Sequence, residues 1–293
     1  MAVQHWPMQG RVCVVTGATD GIGRETAAGL MRLGATVCGV ARDRDKAARV
    51  AAKLRRDVPG GTVDFLIADL SDMVEVRRLA DAITARYPQV HVLINNAGAL
   101  FPTRRVTRDG FEMTLALNYL APFLLTHRIS AALLAAAPAR VINVSSSMHA
   151  GGRINFDDLH AERGYSPWVA YANSKLALVL FTYELARCLA GTGVTANAVH
   201  PGVVRTAFFG SSRDYGRLSA AEGAEPLIYL AASPDVATTT GRYFDRLRAA
   251  PSGGQSQDRT LARRLWQTTA ALLGLETTLC QAHPGLESGP PLR

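Results

Sequence analysis

Tyr171 and Lys175 are the residues of this chain whose types and spacing most directly suggest chemistry. They lie in Tyr171-Ala172-Asn173-Ser174-Lys175, and no Gly or Pro follows until Gly191, so the stretch reads as helix. Four positions is about one helical turn, which puts phenol and ammonium on one face. A cation beside a phenol favours the phenolate and lowers its pKa from about 10 towards neutral. The pair would then serve as a general acid or base at physiological pH. The plainer alternative is a surface Tyr and Lys that happen to lie a turn apart. Lys is rare here, however, occurring only at Lys46, Lys53 and Lys175 among 32 basic residues. Arg would not do the same work, because its guanidinium is larger and less strongly hydrated than the compact ammonium.

Such a pair needs a scaffold that brings a reactant to it. Arg11 to Thr16 is a short β-branched run that reads as a buried strand. Thr16-Gly17-Ala18-Thr19-Asp20-Gly21-Ile22-Gly23 follows, and then a helical stretch. Strand, glycine turn and helix together make a phosphate cradle: glycines admit the pyrophosphate, and the helix N-terminus offers free N–H groups and a positive dipole end. A merely tight turn is the alternative. The second strand, Ala35 to Ala41, ends on Arg42. An acidic residue there would bind ribose hydroxyls and select NAD, whereas an Arg can pair with a 2′-phosphate, so NADP(H) is expected. Arg42 could instead cap the next helix, and Asp43 could still reach a hydroxyl.

Helices and strands then alternate. A helix over about Asp45 to Asp57 is followed by a turn at Pro59-Gly60-Gly61 and a strand over about Val63 to Ala68. Asp69-Leu70 ends that strand, where Asp69 could hold an adenine amine, or Asp69 or Ser71 could begin the next helix. A fourth strand, Val90 to Ile94, ends in Asn95-Asn96-Ala97-Gly98, small residues that would let a nicotinamide ribose lie close. Val106 to His127 reads as a long helix in which Asn118 and Pro122 are out of place. A break there would free a carbonyl for water; a solvated Asn is the alternative. The fifth strand, Arg140 to Val144, runs into Ser145-Ser146-Ser147, hydroxyls that suit a carbonyl oxygen or simply form a loop. The helix of Tyr171 comes next, then a sixth strand, Val194 to Val199, and His200-Pro201-Gly202-Val203-Val204-Arg205-Thr206. This alternation argues for a doubly wound parallel sheet with right-handed crossovers.

Phe208 to Gly223 reads as a mobile loop, plausibly a lid. Gly223 to Ala232 reads as helix and Gly241 to Phe244 as a last strand. Pro251 to Gly254 reads as a flexible link to a helix over about Asp258 to Leu273, with Leu261, Leu265, Trp266, Thr269 and Leu272 on one face. That helix is expected to pack near the substrate mouth, a weak membrane-surface contact being the minority reading. Residues 282–293 read as disordered.

Composition bounds the remaining possibilities. At 293 residues with 48% apolar and 19% charged residues, the chain can bury one large core. No apolar run reaches the length of a membrane span, and Met1 to Gln9 lacks the apolar centre of a signal peptide, so a cytoplasmic protein is expected. The net charge of +8 is spread along the chain without aromatic interleaving, which argues against nucleic acid. Cys13, Cys38, Cys188 and Cys280 show no metal-binding or redox spacing.

Thr16 to Gly23, Asp69-Leu70, Asn95 to Gly98, Asn118, Ser146, Tyr171 with Lys175, and Pro201-Gly202 with Thr206 together resemble the short-chain dehydrogenase/reductase family over roughly Gln9 to Arg248. Met148-His149 after the serines, Asn155 to Leu159, Ala198 to Gly202 and the Leu265-Trp266 ending are similar to its retinol dehydrogenase-like branch. Membrane-bound animal members of that branch begin with an apolar anchor, and no such run is present in this chain. The resemblance implies a Rossmann-type α/β sheet of about seven strands over residues 1–250, with a C-terminal helical extension over 251–293. It implies that Gly17, Thr19, Asp20, Gly21, Ile22, Gly23, Arg42, Asp69, Leu70, Asn96, Ala97, Gly98, Tyr171, Lys175, Pro201, Val204 and Thr206 hold the cofactor. Tyr171 would exchange a proton with the substrate oxygen, and Lys175 would hold the ribose and lower the Tyr171 pKa. Ser146 would hydrogen-bond that oxygen, with Ser147 a possible stand-in, and Asn118 would anchor a water. Hydride passes directly between carbons, so no metal is required.

The expected activity is interconversion of an apolar ketone or aldehyde with its alcohol using NADP(H), with a homodimer possible. Leu100, Phe101, Met148, Trp168, Phe208 and Phe209 are pocket candidates, or equally core. A catalytically silent cofactor-sensing protein and a reductase of activated double bonds are the alternatives.

Overall fold

The computed structural model of the chain describes residues 7–205, 217–275 and 279. Its centre is one sheet. Strands β1 (Val12–Thr16), β2 (Thr36–Ala41), β3 (Thr62–Ile67), β4 (Val92–Asn95), β5 (Ala139–Val144), β6 (Val194–His200), β7 (Arg242–Asp245) and β8 (Arg248–Ala250) lie in the order β3-β2-β1-β4-β5-β6-β7-β8. The first seven are mutually parallel, and β8 runs antiparallel to β7. Sequence patterning anticipates about seven strands. The eighth has only three residues and no alternation, so its signal is weak.

Every residue of β4 and β5 is buried, as expected where helices cover both faces of a parallel sheet. On one face lie α1 (Gly21–Arg32), α2 (Arg44–Asp57) and α8 (Ala220–Ala232), which bury Leu30, Met31, Leu54, Leu227 and Leu230 in a common core. On the other lie α3 (Met73–Arg86), α5 (Ala121–Arg128) and α7 (Pro167–Cys188), together with α9 (Arg259–Leu272). They bury Val76, Ile83, Phe123, Leu180, Phe181 and Trp266. Two short helices, α4 (Met113–Leu115) and α6 (Ser130–Ala135), flank α5. Aspartates at Asp20, Asp43, Asp72 and Asp258 cap α1, α2, α3 and α9 by accepting first-turn amides.

Several sequence expectations are corrected. The helix expected from Val106 begins only at Met113. Gly110, at φ +87°, turns the chain back so that Val106 bridges Glu112, and the Glu112 carboxylate caps the new helix through the Thr114 and Leu115 amides. The expected break at Asn118 is a π turn, Ala116–Leu120, closed by Ala121 N–H on the Ala116 carbonyl. The helix expected from Gly223 starts at Ala220, because Ser219 and Glu222 form a reciprocal capping box.

Residues 251–254 are not a loose link. Ser252 and Ser256 are buried, and the Ser252 hydroxyl accepts from Tyr183 and Gln257 and meets the Ser256 hydroxyl at 2.7 Å. Helix α9 packs against α5 and α7. The Trp266 ring lies 5.0 Å from Phe123 and 5.6 Å from Phe181, and Phe181 is ten residues, or about 15 Å, along α7 from Tyr171. Of its expected apolar face, Leu265, Trp266 and Thr269 are buried while Leu272 is exposed. Cys188 is disulfide-bonded, which scattered cysteine spacing does not anticipate. Burial pushes the free Cys13 and Cys38 thiols up to about 12. Among the described residues no helix is long and apolar enough to cross a membrane. Most of the expected lid and the whole of residues 282–293 lie outside the described residues.

Candidate active site

The strand order reverses between β1 and β4, and in doubly wound sheets ligands lie at such a switch point, beyond the strand C-termini. Two loops meet there. The Thr16 hydroxyl ties them: it accepts the Asn96 and Ala97 amides at 2.9 Å each and donates to the Ile94 carbonyl. The Asn96 side-chain amide donates to the Thr16 carbonyl at 2.8 Å. Gly17, at φ +68°, would place a Cβ 3.1 Å from the Ala97 Cα, and a Cβ on Gly23 would lie 2.3 Å from the Gly17 carbonyl oxygen. Only glycine fits either position, so the backbone of the 17–23 turn packs against the 96–98 loop without side chains between them.

Asp20 takes the Gly21 amide at 2.8 Å, leaving Ile22 and Gly23 with first-turn amides that have no intrahelical acceptor. These amides suit an anion. The Asp20 carboxylate caps α1 and pairs with Lys46 at 2.8 Å. That bond holds the Asp20 carboxyl below its usual range. Thr19 and Ile22 line the turn, Ile22 also packing on the α1-side core. Arg42 is exposed at the end of β2, while Asp43 is engaged as the α2 cap through the Lys46 amide. Asp69 accepts the Ser71 amide and hydroxyl, its own amide donates to Glu75, and Leu70 is buried beside it; Asp72 and not Asp69 begins the next helix. Pro201 and Val204 are buried at the end of β6, Val204 in a bridge with Leu218. Thr206, Phe208 and Phe209 lie outside the described residues.

The second half of the site is built on α7 and the end of β5. Tyr171 is buried, and the Ser146 side chain lies beside its hydroxyl, where it favours the ionised phenol. Ser146 also caps the short turn Ser147–Gly151 by accepting the Met148 amide. Lys175 is buried, and its ammonium donates to the Val144 carbonyl at 2.8 Å, 5.6 Å from the Tyr171 ring centre. Asn118 is wholly buried: its Oδ1 accepts the Ala99 amide, and its Nδ2 donates to the Ala99 carbonyl and the Ser174 hydroxyl. Ser174 in turn donates to the Tyr171 carbonyl. A Cβ on Gly98 would stand 3.2 Å from Asn118 Oδ1 and 3.3 Å from Lys175 Nζ. The geometry therefore brings Asn118, Ser146, Tyr171 and Lys175 together beside the glycine cradle.

One electrostatic expectation is corrected. Burial dominates over the neighbouring cation: it pushes the Tyr171 phenol up to about 12 against the opposing effect of Ser146, and it lowers Lys175 to about 8. Tyr171 is thus a neutral acid at neutral pH. Lys175 keeps its charge there, but with little reserve.

Of the substrate candidates, Leu100, Phe101 and Met148 are half-buried and Trp168 is 49% exposed. Sequence reasoning missed the supporting roles of Thr16, Ser174 and Lys46. Thr16 and Ser174 lie within the recognised motifs, but the partners of Thr16 are some 80 residues away.

A family model described as short chain dehydrogenase matches residues 11–215. The chain belongs to the short-chain dehydrogenase family. Human retinol dehydrogenase 12 is 41% identical over 277 residues, covering 92% of this chain and 88% of that protein. Human retinol dehydrogenase 13 is 38% identical over 291 residues, covering 94% and 88%. Among solved structures, an uncharacterized protein from Mycobacterium paratuberculosis superposes with a TM-score of 0.78 at 35% identity, covering 92% of this chain and 96% of that one. A blue fluorescent protein from a metagenomic library, in complex with NADPH, gives a TM-score of 0.67 at 27% identity, covering 82% and 97%. The short-chain dehydrogenase fold and the retinol dehydrogenase resemblance of the sequence both stand. The residues that this fold brings to its switch point fit a nicotinamide dinucleotide, since the first-turn amides of Ile22 and Gly23 at the start of α1 suit its pyrophosphate.

Proposed function

We propose that the protein interconverts an apolar ketone or aldehyde and its alcohol, using NADP(H) in preference to NAD(H). The observation that carries this reading is the buried Tyr171 hydroxyl beside Ser146, one helical turn from the buried Lys175 ammonium. The 17–23 turn, Asn96 to Gly98, Lys175 and Arg42 would hold the cofactor. A bound nicotinamide supplies or accepts the hydride and, when oxidised, adds a positive charge beside the phenol.

In carbonyl reduction Tyr171, neutral at working pH, donates its proton to the substrate oxygen. Ser146 hydrogen-bonds the same oxygen as negative charge develops on it. Lys175 stabilises the phenolate that remains, and its anchor on Val144 keeps it in place. Asn118 holds the 99 loop, and with it the floor of the site, and anchors the water that returns a proton. Arg42 favours NADP(H), because no acidic residue at the end of β2 is free to take a ribose hydroxyl once Asp43 is used as a cap. The NADPH complex of a structural neighbour supports the same choice.

The retinol dehydrogenase relatives make a long polyene aldehyde or alcohol the first substrate to try. NADPH consumption with a panel of aldehydes and ketones, retinaldehyde among them, tests the proposal. Turnover by the wild type and its loss in Tyr171→Phe are expected; no turnover across the panel would reject the substrate class.

A further inference from the structure

His149 lies three residues beyond Ser146, is 2% exposed, and uses both ring nitrogens. Nδ1 lies 2.6 Å from the Ser146 carbonyl oxygen, and the Gly253 amide donates to Nε2 at 3.2 Å. The two partners fix the tautomer. A carbonyl only accepts, so Nδ1 carries the proton; an amide N–H only donates, so Nε2 carries the lone pair. The His149 amide also donates to the Ser146 carbonyl, which therefore receives two bonds from one residue. The ring packs on Tyr243 of β7 at 4.6 Å between centres.

The far side of this contact is equally specific. A Cβ on Gly253 would lie 2.8 Å from Ala150 Cβ, and one on Gly254 would lie 2.5 Å from the Ala150 carbonyl oxygen. The backbone of 252–254 thus presses directly on the turn Ser147–Gly151. The strap is fastened beyond it by Tyr183 on Ser252, by Ser256 on the Gly253 carbonyl, and by the Ile154 amide on Gln255.

We propose that His149 is a positioning residue: by bonding the Ser146 carbonyl through Nδ1 and the Gly253 amide through Nε2, it clamps the turn that aims the Ser146 hydroxyl at Tyr171 to the strap 251–257. The inference rests on the proposed role of Ser146 in the reaction. It makes the segment after β8 part of the active-site support, and it gives Gly253 and Gly254 a reason to be glycine.

The test compares His149→Asn and His149→Gln, each in the wild-type and the Ser146→Ala backgrounds, with kcat, KM, NADPH affinity and melting temperature measured for all. Asn keeps a donor where Nδ1 stands. Gln keeps an acceptor near Nε2 but loses that donor. His149→Gln is expected to lower kcat about tenfold, the effect of one lost hydrogen bond, with KM and NADPH affinity nearly unchanged. His149→Asn is expected to retain most of kcat, and neither substitution to lower it further in Ser146→Ala. Unchanged kcat in His149→Gln, or an equal loss in both backgrounds, would overturn the proposal, the latter because it marks a general structural role. Should His149→Gln not fold, Gly253→Ala approaches from the strap side and is expected to show the same background-dependent loss; an equal loss in both backgrounds would again count against it. Full activity of Ser146→Ala would instead sink the reading of Ser146 itself, which keeps the two failures apart.

Discussion

The Thr269 side chain of α9 meets the Tyr119 hydroxyl at 2.7 Å, inside the core, one residue from Asn118. The C-terminal helix therefore reaches the π turn that presents Asn118. Thr269→Val keeps the shape and strands a buried phenol hydroxyl, which costs about 1–3 kcal/mol. A lower denaturation midpoint is expected, and Tyr119→Phe added to Thr269→Val is expected to recover much of it, because no polar group is then left unpaired. Equal midpoints for wild type and Thr269→Val would contradict this.

Lys175 gives a pH dependence with a definite sign. Its pKa is lowered from 10.5 to about 8 by burial, so the free enzyme loses the ammonium as pH rises through about 8. kcat/KM for NADPH, which reports the free enzyme, is expected to fall above that pH. The folded state sheds this proton near 8 and the unfolded state near 10.5, so between them the unfolded chain binds more protons and stability rises with pH. Below 8 the penalty for burying the charge is present in full. Lys175→Met is therefore expected to be inactive yet more stable near neutral pH, by at most about 3 kcal/mol less the lost bond to Val144. Melting curves near neutrality and at about pH 10 check it, the advantage of the Met variant shrinking at the higher pH.

The glycine cradle has no room to spare. Gly23→Ala would put a Cβ 2.3 Å from the Gly17 carbonyl oxygen and 2.5 Å from Asn96 Nδ2. Backbone must move on one side or the other, at a cost of about 1–3 kcal/mol. Titration with NADPH, followed by fluorescence, is expected to show affinity lowered tenfold or more by this one methyl group.

Arg42 is expected to act on one cofactor only. Arg42→Ala removes a charge-assisted bond to a 2′-phosphate, so the ratio of kcat/KM for NADPH over NADH is expected to drop by about tenfold or more. A ratio that does not move would assign the preference elsewhere, with Lys46 the next cation to test.

What could be read from the sequence is what lies close along the chain. The 17–23 turn and the Tyr171–Lys175 spacing each fit within about two helical turns, where residue type and period suffice. Contacts between distant residues left no pattern to read. Thr16 reaches Ala97 across 81 positions, Gly253 reaches His149 across 104, and Tyr119 reaches Thr269 across 150. The direction of the Tyr171 pKa was missed for the same reason. Proximity to Lys175 is a local fact, whereas the burial that outweighs it is made by the whole fold. The false start of the helix at Val106 has a local cause, since Gly110 and the Glu112 cap overrule the helical period there.

The central claim is that the buried Tyr171 hydroxyl exchanges the proton with the substrate oxygen. Tyr171→Phe removes that hydroxyl and leaves the ring. Steady-state carbonyl reduction with NADPH is expected to show kcat lower by about 10²–10⁴, with NADPH affinity and melting temperature close to wild type. Turnover by Tyr171→Phe at the wild-type rate would contradict the account.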